Sequence, residues 1–349
     1  MHLKEFDYQL HPEIIAPYPV SRRDNSRLMV LNRTIKAIEN KKFFEISSYM
    51  KKEDALVLND TRVVPARLYG KKGSGGKVEV LLLKQISEKD VIWECLIKTS
   101  KKVRVQSSII FPESLKGEIV EKTGEGRWKI KFIGNKGNFY EVLDNIGEAP
   151  LPPYILKRRE GVQEKKIDKE RYQTIYAQKR GAIAAPTAGL HFTEQVLYDI
   201  RKIGVKLIWI TLHVGGGTFF PPRVEEVSQH MMESEYFEIT EEDAKIINQV
   251  KQKGGRVFSV GTTTTRALES STDPEGILHP ARGYTNLFIH PGYKFKMINC
   301  LITNFHQPRS TPLILVSAFT GLDFVKQAYR QAIDNNYRFL SYGDGMLIL

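Results

Sequence analysis

The chain has 349 residues, 41% of them hydrophobic, with 52 Lys plus Arg against 40 Asp plus Glu and a formal net charge of +12. That length and apolar content fit one large domain with an insertion, or two domains, and exclude a disordered chain; the basic excess favours an anionic partner, nucleic acid first. Cys95 and Cys300 stand far apart in no CxxC or CxxH spacing, the N-terminal MHLKEFDYQL has no apolar signal core, and no apolar run approaches the roughly 18 residues of a membrane span, so a thiolate zinc site is disfavoured and a cytoplasmic protein is expected.

In chain order, the first zone runs to about Pro65. It holds a helical pattern near Leu31–Asn40, then ALVLNDTRVVPARL, a strand leading into a polar loop. From Ala66 to Pro150 come short β-rich runs: KVEVLLL, VIWECLIK, VRVQSSIIF, GEIVEK, RWKIKFIG and NFYEVLDNIG. Turns at GSGG, SEKD, KTGEG and GNKGN separate them, which predicts an antiparallel barrel or sandwich without a standard-length helix. APLPPYI then breaks any continuing element, and a charged stretch follows.

The third zone alternates. VKLIWITL, RVFSVG, NLFIH and MINCLIT read as strands, and SAFTGLDFVKQAYRQAI reads as helix. Thr240 caps a helix over TEEDAKIINQVKQ, with Asp243 three residues on and Gly254–Gly255 as its stop. The expected architecture is a layered α/β domain, residues 1–65 and 151–349, interrupted by an antiparallel β-barrel domain, residues 66–150.

Several segments carry chemistry a core does not need. The strand ending in Asn59–Asp60–Thr61–Arg62 presents a carboxylate, a hydroxyl and a guanidinium, although Asn and Asp also suit a plain turn. GAIAAPTAGLHFTEQVL combines small residues with Thr193 as a helix cap and His191 just before it. TLHVGGGTFFPP is a ligand-hugging loop but no dinucleotide motif, because prolines follow the glycines. His213, His230, Glu233 and Glu235 raise a metal reading, yet their spacing matches no metal motif, and general acid–base work suits them better. Gly261 and its four threonines open a helix that could hold an anionic or zwitterionic group, with Arg266 one turn inside. Asn304, His306 and Arg309 share a loop closed by prolines, and Arg338, Tyr342 and Asp344 lie near the C-terminus.

The strings FDYQL, SRLMV, NDTRVVPARL, LPPYI, RYQTIYA, GAIAAPTAGLHFT, TLHVGGGTF, GTTTTRALES, FIHPGY, LITNFHQPRSTP and YRFLSYGDGM run in order from Phe6 to Met346. In them the chain resembles the S-adenosylmethionine:tRNA ribosyltransferase-isomerases of queuosine biosynthesis. The resemblance implies an α/β domain carrying an inserted barrel. It also implies transfer and isomerisation of the ribosyl group of S-adenosylmethionine, the co-substrate, onto 7-aminomethyl-7-deazaguanine at the wobble position of a tRNA with a GUN-type anticodon. The product would be epoxyqueuosine-tRNA, with adenine and methionine released. No metal, no membrane and a monomer are expected.

Glu233 stands where that family often shows a second histidine. For such a reaction the expected base beside the sulfonium is His191 or Glu235, with Asp60 third, and His213 would protonate the departing adenine. Phe192 and Phe219 would face the sulfonium, and Arg266 with Thr262, Thr263 and Asp344 would take the methionine end. Arg62, Thr187, Asn304, His306 and Arg338 complete the expected substrate contacts, and Lys and Arg of KKVR, LKRR and KERYQ the phosphate contacts. A non-catalytic RNA-binding module and a metal-dependent hydrolase are the rival classes.

Overall fold

Ala55–Asn59, Val257–Val260 and Cys300–Asn304 are buried at every position, the pattern of parallel strands covered on both faces. The computed structural model describes all residues except 74, 101, 125, 135–137, 161–163 and 220–221 and the side chains at 218 and 219. In it these strands pair in parallel, with Lys206–Leu212 on the far side of Ala55–Asn59. Glu235–Ile239 and Ala281–Thr285 extend that side antiparallel. Beside Cys300–Asn304 come antiparallel Gly345–Ile348, then Arg27–Asn32 and Ala37–Lys42, nine strands in all among the described residues.

Successive residues of a strand face opposite sides, and here they feed two cores. Ala55 and Val57 pack with Ile247, Leu268, Leu313 and Phe324 from the helices Glu241–Gln252, Thr262–Ser270, Thr311–Thr320 and Leu322–Asp334. Leu56 and Leu58 pack with Val196 and Ile200 of the helix Glu194–Ile203, and with Phe43 and Ile46. Burying a Leu or Phe side chain contributes roughly 1.5–3 kcal/mol, so the sheet, covered on both faces, is a stiff base for the loops at its ends. Thr193 and Thr240 cap their helices as the sequence indicates, accepting from Val196 N at 3.3 Å and Asp243 N at 3.1 Å.

Arg67–Lys72, Lys77–Ser87, Ile92–Thr99, Ser108–Ile110, Lys116–Lys122 and Arg127–Ile133 close into an antiparallel barrel. Val80, Leu82, Trp93, Cys95, Ile119 and Ile130 fill its own core. The fold class read from the sequence, layered α/β with an antiparallel barrel, is the one observed. Among the described residues no helix is long and apolar enough to cross a membrane.

Three local expectations fail for local reasons. Leu31–Asn40 belongs to a β-hairpin, because Asn32 Oδ1 accepts from Thr34 N (3.0 Å) and Ile35 N (3.3 Å) and turns the chain between Arg27–Asn32 and Ala37–Lys42. NFYEVLDNIG is not β: Asn138 Oδ1 accepts from Tyr140 N at 3.0 Å and caps a helix, Phe139–Ile146. Residues 286–290, NLFIH, are not a strand; the nearby strand is Ala281–Thr285. LPPYI does break the preceding element, as read, and its prolines open a new helix, Pro153–Arg158, since proline at the first helical position loses no internal hydrogen bond.

Candidate active site

Four parallel strands end side by side, at Asn59, Leu212, Val260 and Asn304. The crevice beyond such carboxyl ends is where open α/β sheets place their ligands. A cavity of about 950 Å³ opens there, near the top of the ~300–1,000 Å³ range of small-molecule sites. Its lining runs from Thr187, Thr262, Thr263, Asn304 and His306 on the sheet side to Gly124 and Arg127 on the barrel.

One wall is the start of the helix Thr262–Ser270. Gly261 turns into it at φ +92°, a left-handed conformation that costs any residue with a Cβ. The Thr262 and Thr263 positions at this N-terminus line the cavity; first-turn amides have no partner within their own helix. One turn in, buried Arg266 pairs with buried Glu235, and both line the cavity. The pair is held from outside: Gly215 N donates to Glu235 Oε1 at 2.8 Å, and Arg266 Nε donates to Leu287 O at 2.9 Å. A second pair closes the barrel side, Arg127 with Glu233, and Arg127 also reaches Glu94 at 3.1 Å.

The opposite wall is organised by Asn304. Thr187 Oγ1 donates to Asn304 Oδ1 at 2.8 Å, and Asn304 Nδ2 donates to His191 Nε2 at 3.1 Å. With Nε2 accepting, Nδ1 carries the ring proton and donates it to Ser26 Oγ at 2.8 Å, while Ser26 donates on to Arg23 O at 3.2 Å. His191 lies behind Asn304, outside the cavity lining, stacked on Phe43 at 4.9 Å. Burial, with Arg23 and Arg338 nearby, lowers its pKa to about 3. This neutral imidazole orients an amide that does reach the cavity. His306 lines the cavity, but its Nε2 lies 2.8 Å from Thr303 Oγ1 and burial lowers its pKa to about 3.

Other expected residues fall elsewhere. Phe192 is fully buried, edge-on to Phe43 and Tyr176, with no face toward the cavity. Asp344 bridges two backbone amides, Arg27 N and Arg338 N, each at 2.8 Å, and staples the start of Gly345–Ile348 to its neighbour; burial raises its pKa. Arg338 reaches back to Tyr18 O. Asp60 is buried with Thr211 Oγ1 donating to it at 2.7 Å, and burial raises its pKa although the Thr211 hydroxyl and Lys179 act against it. His213 sits with Thr61 Oγ1 2.7 Å from its Nδ1 and stacks on Tyr236 at 5.3 Å. Its pKa is lowered to about 4, chiefly by burial. Gly181 lies against that ring so closely that an added Cβ would stand 2.4 Å from it. Asp60, His213 and exposed Arg62 therefore share the strand ends without lining the cavity. The side chain of Phe219 lies outside the described residues.

Of the expected phosphate contacts, Arg159 in LKRR is buried and paired with Asp168 at 2.9 Å, whereas Lys157 lines the cavity. Lys101 of KKVR lies outside the described residues. Sequence reasoning missed Tyr154, Tyr172, Ser341 and Phe288, which also line the cavity. LPPYI and YRFLSYGDGM contain Tyr154 and Ser341, but nothing in those strings says that the Tyr154 hydroxyl lies 2.6 Å from Ser341 Oγ. The four residues of the metal reading do not assemble: Glu233 and Glu235 are each paired with an arginine, and His213 lies off the cavity. Among the described residues no group of three or more His, Cys, Asp or Glu is placed to hold a metal ion.

Residues 3–348 match the family described as Queuosine biosynthesis protein. A protein of Caldanaerobacter subterraneus subsp. tengcongensis named S-adenosylmethionine:tRNA ribosyltransferase-isomerase is 48% identical, over all of both chains. A protein of that name from Desulforamulus reducens is 47% identical, again over all of both. The crystal structure of S-adenosylmethionine tRNA ribosyltransferase from Thermotoga maritima superposes with a TM-score of 0.55 at 34% identity, covering 99% of this chain and 100% of that one.

Proposed function

Since the chain belongs to the queuosine biosynthesis protein family, we propose that this transferase moves the ribosyl group of S-adenosylmethionine onto 7-aminomethyl-7-deazaguanine at the wobble position of tRNA. It isomerises that group to the epoxide of epoxyqueuosine and releases adenine and methionine. The observation that carries this reading is the cavity of about 950 Å³, lined jointly by the sheet-end loops and the barrel. It has room for a nucleoside with its amino-acid arm, and the barrel edge offers a second surface for an extruded base.

The chemistry distributes itself over the walls. The methionine arm is a zwitterion, and the Arg266–Glu235 pair offers one partner of each sign beside the amides at Thr262 and Thr263. Asn304, oriented by His191 and Thr187, gives a fixed amide for the ribose or the base. Phe288, with Leu287 and Ile289, supplies an apolar face for the purine. The enzyme acts as a cytoplasmic monomer on tRNAs with GUN-type anticodons, and residues 66–150 form an inserted domain.

The test is direct. Incubation with S-adenosylmethionine and tRNA bearing the deazaguanine should release free adenine in step with ribosylated tRNA. Modified tRNA without adenine, or no reaction with that tRNA, would end the proposal.

A further inference from the structure

The reaction begins with a proton that must be removed. The positive sulfur acidifies the methylene joining it to the ribose, so an unprotonated base has to stand in the cavity. Most polar groups there are already committed. Glu233 and Glu235 pair with Arg127 and Arg266. The Tyr154 hydroxyl is tied to Ser341 and its pKa is pushed up to about 12 by burial, and burial and its tyrosine neighbours also raise that of Tyr172 well above its usual value. His306 is bonded to Thr303. Lys157 and Arg223 complete the charged lining.

His230 differs from all of these. It sits on the irregular segment before the strand Glu235–Ile239, half-buried, and lines the cavity. Its ring packs edge-on against Phe288 at 5.0 Å. Among the described residues no hydrogen bond to either ring nitrogen is recorded, while Phe288 holds the ring in place. Burial lowers its pKa from the usual 6.5, so the imidazole is neutral near pH 7 and ready to accept.

We propose that His230 is the base that takes the proton from the methylene beside the sulfonium and later returns it to the departing purine. This rests on the reading of the function given above. In the first step the C–H bond breaks, its electron pair stays on carbon next to the positive sulfur, and the proton goes to an imidazole nitrogen. The carbanion pair then forms a double bond to the adjacent ring carbon as that carbon's bond to the ring oxygen breaks; the oxygen's pair makes a carbonyl on the purine-bearing carbon, and the bond to the purine breaks with its pair on the purine nitrogen. The imidazolium then gives that nitrogen its proton. The imidazole ends as it began; the proton released when the deazaguanine amine forms its bond to carbon goes to solvent, and no oxidant is required.

His230→Gln and His230→Ala test this in the full-length protein with S-adenosylmethionine and the substrate tRNA. Adenine release should fall about 10²- to 10⁴-fold, the range for loss of a matched acid–base group, with KM little changed. Added imidazole should restore part of the His230→Ala rate, which a merely structural role would not allow. Parent turnover should rise with pH through a value below 6.5, and that limb should be missing from His230→Gln. If the parent releases adenine and both variants do so within about threefold of it, or if the acid limb survives in His230→Gln, the assignment falls. If the parent itself releases no adenine, the reading of the function falls with it.

Discussion

His191 shows how a residue type and its position can point to different work. From the sequence it looks like an acid–base group; in the fold both its ring nitrogens are engaged, by Asn304 and Ser26. Removing it leaves the Asn304 amide and the Ser26 hydroxyl without their shared partner in a buried site, and an unsatisfied buried group costs about 1–3 kcal/mol. His191→Ala should therefore lower the unfolding free energy by about that amount in a urea titration, as well as slow turnover by loosening Asn304. The pH dependence has a defined sign. The folded pKa of about 3 lies below the usual 6.5, so the unfolded chain binds the proton more readily. The stability due to neutral His191 is complete above 6.5 and is lost as pH falls toward 3. His306, also near 3, adds to the same slope. Melting temperatures measured across that window should drop less steeply for His191→Phe than for the parent; equal slopes would remove His191 from the account.

Elements were legible where a local rule decided them. Thr193 and Thr240 mark real helix starts because a capping hydroxyl needs only its own next turn. Gly261 and the threonines also open a real helix, but with the Gly261 turn and no side-chain cap at its start. Leu31–Asn40 and NFYEVLDNIG were misread because one asparagine in each, Asn32 and Asn138, sets the chain direction through a side-chain bond that apolar periodicity does not register. The Gly261 turn also carries a prediction. At φ +92° a side chain is strained by ~1–3 kcal/mol, and relief of that strain would swing Thr262 and Thr263 away from the cavity. Gly261→Val should lower the denaturant midpoint and weaken S-adenosylmethionine binding measured by calorimetry. Unchanged affinity would mean that the helix start does not face the ligand.

At the scale of the whole molecule, the barrel and the sheet share one cavity, and the Arg127–Glu233 pair ties them across its mouth. A half-exposed pair contributes little stability, about 0–1 kcal/mol, so its effect is on how the two parts meet. The net charge of +12 makes tRNA binding a matter of counterion release. Affinity should fall steeply and log-linearly with salt, and a flat response would contradict phosphate contacts. Composition, the alternation of strands and helices, the β-rich middle zone and the distinctive strings were readable from the chain alone, because each depends on residues adjacent in sequence. Which of the polar residues share a cavity was not. Asp60, His213, Glu235 and Asn304 all sit at or beside strand ends, yet alternate residues of a strand face opposite sides of the sheet. Only the pairing of distant strands and the packing of helices over them decides that Glu235 and Asn304 open on the cavity while Asp60 and His213 turn elsewhere.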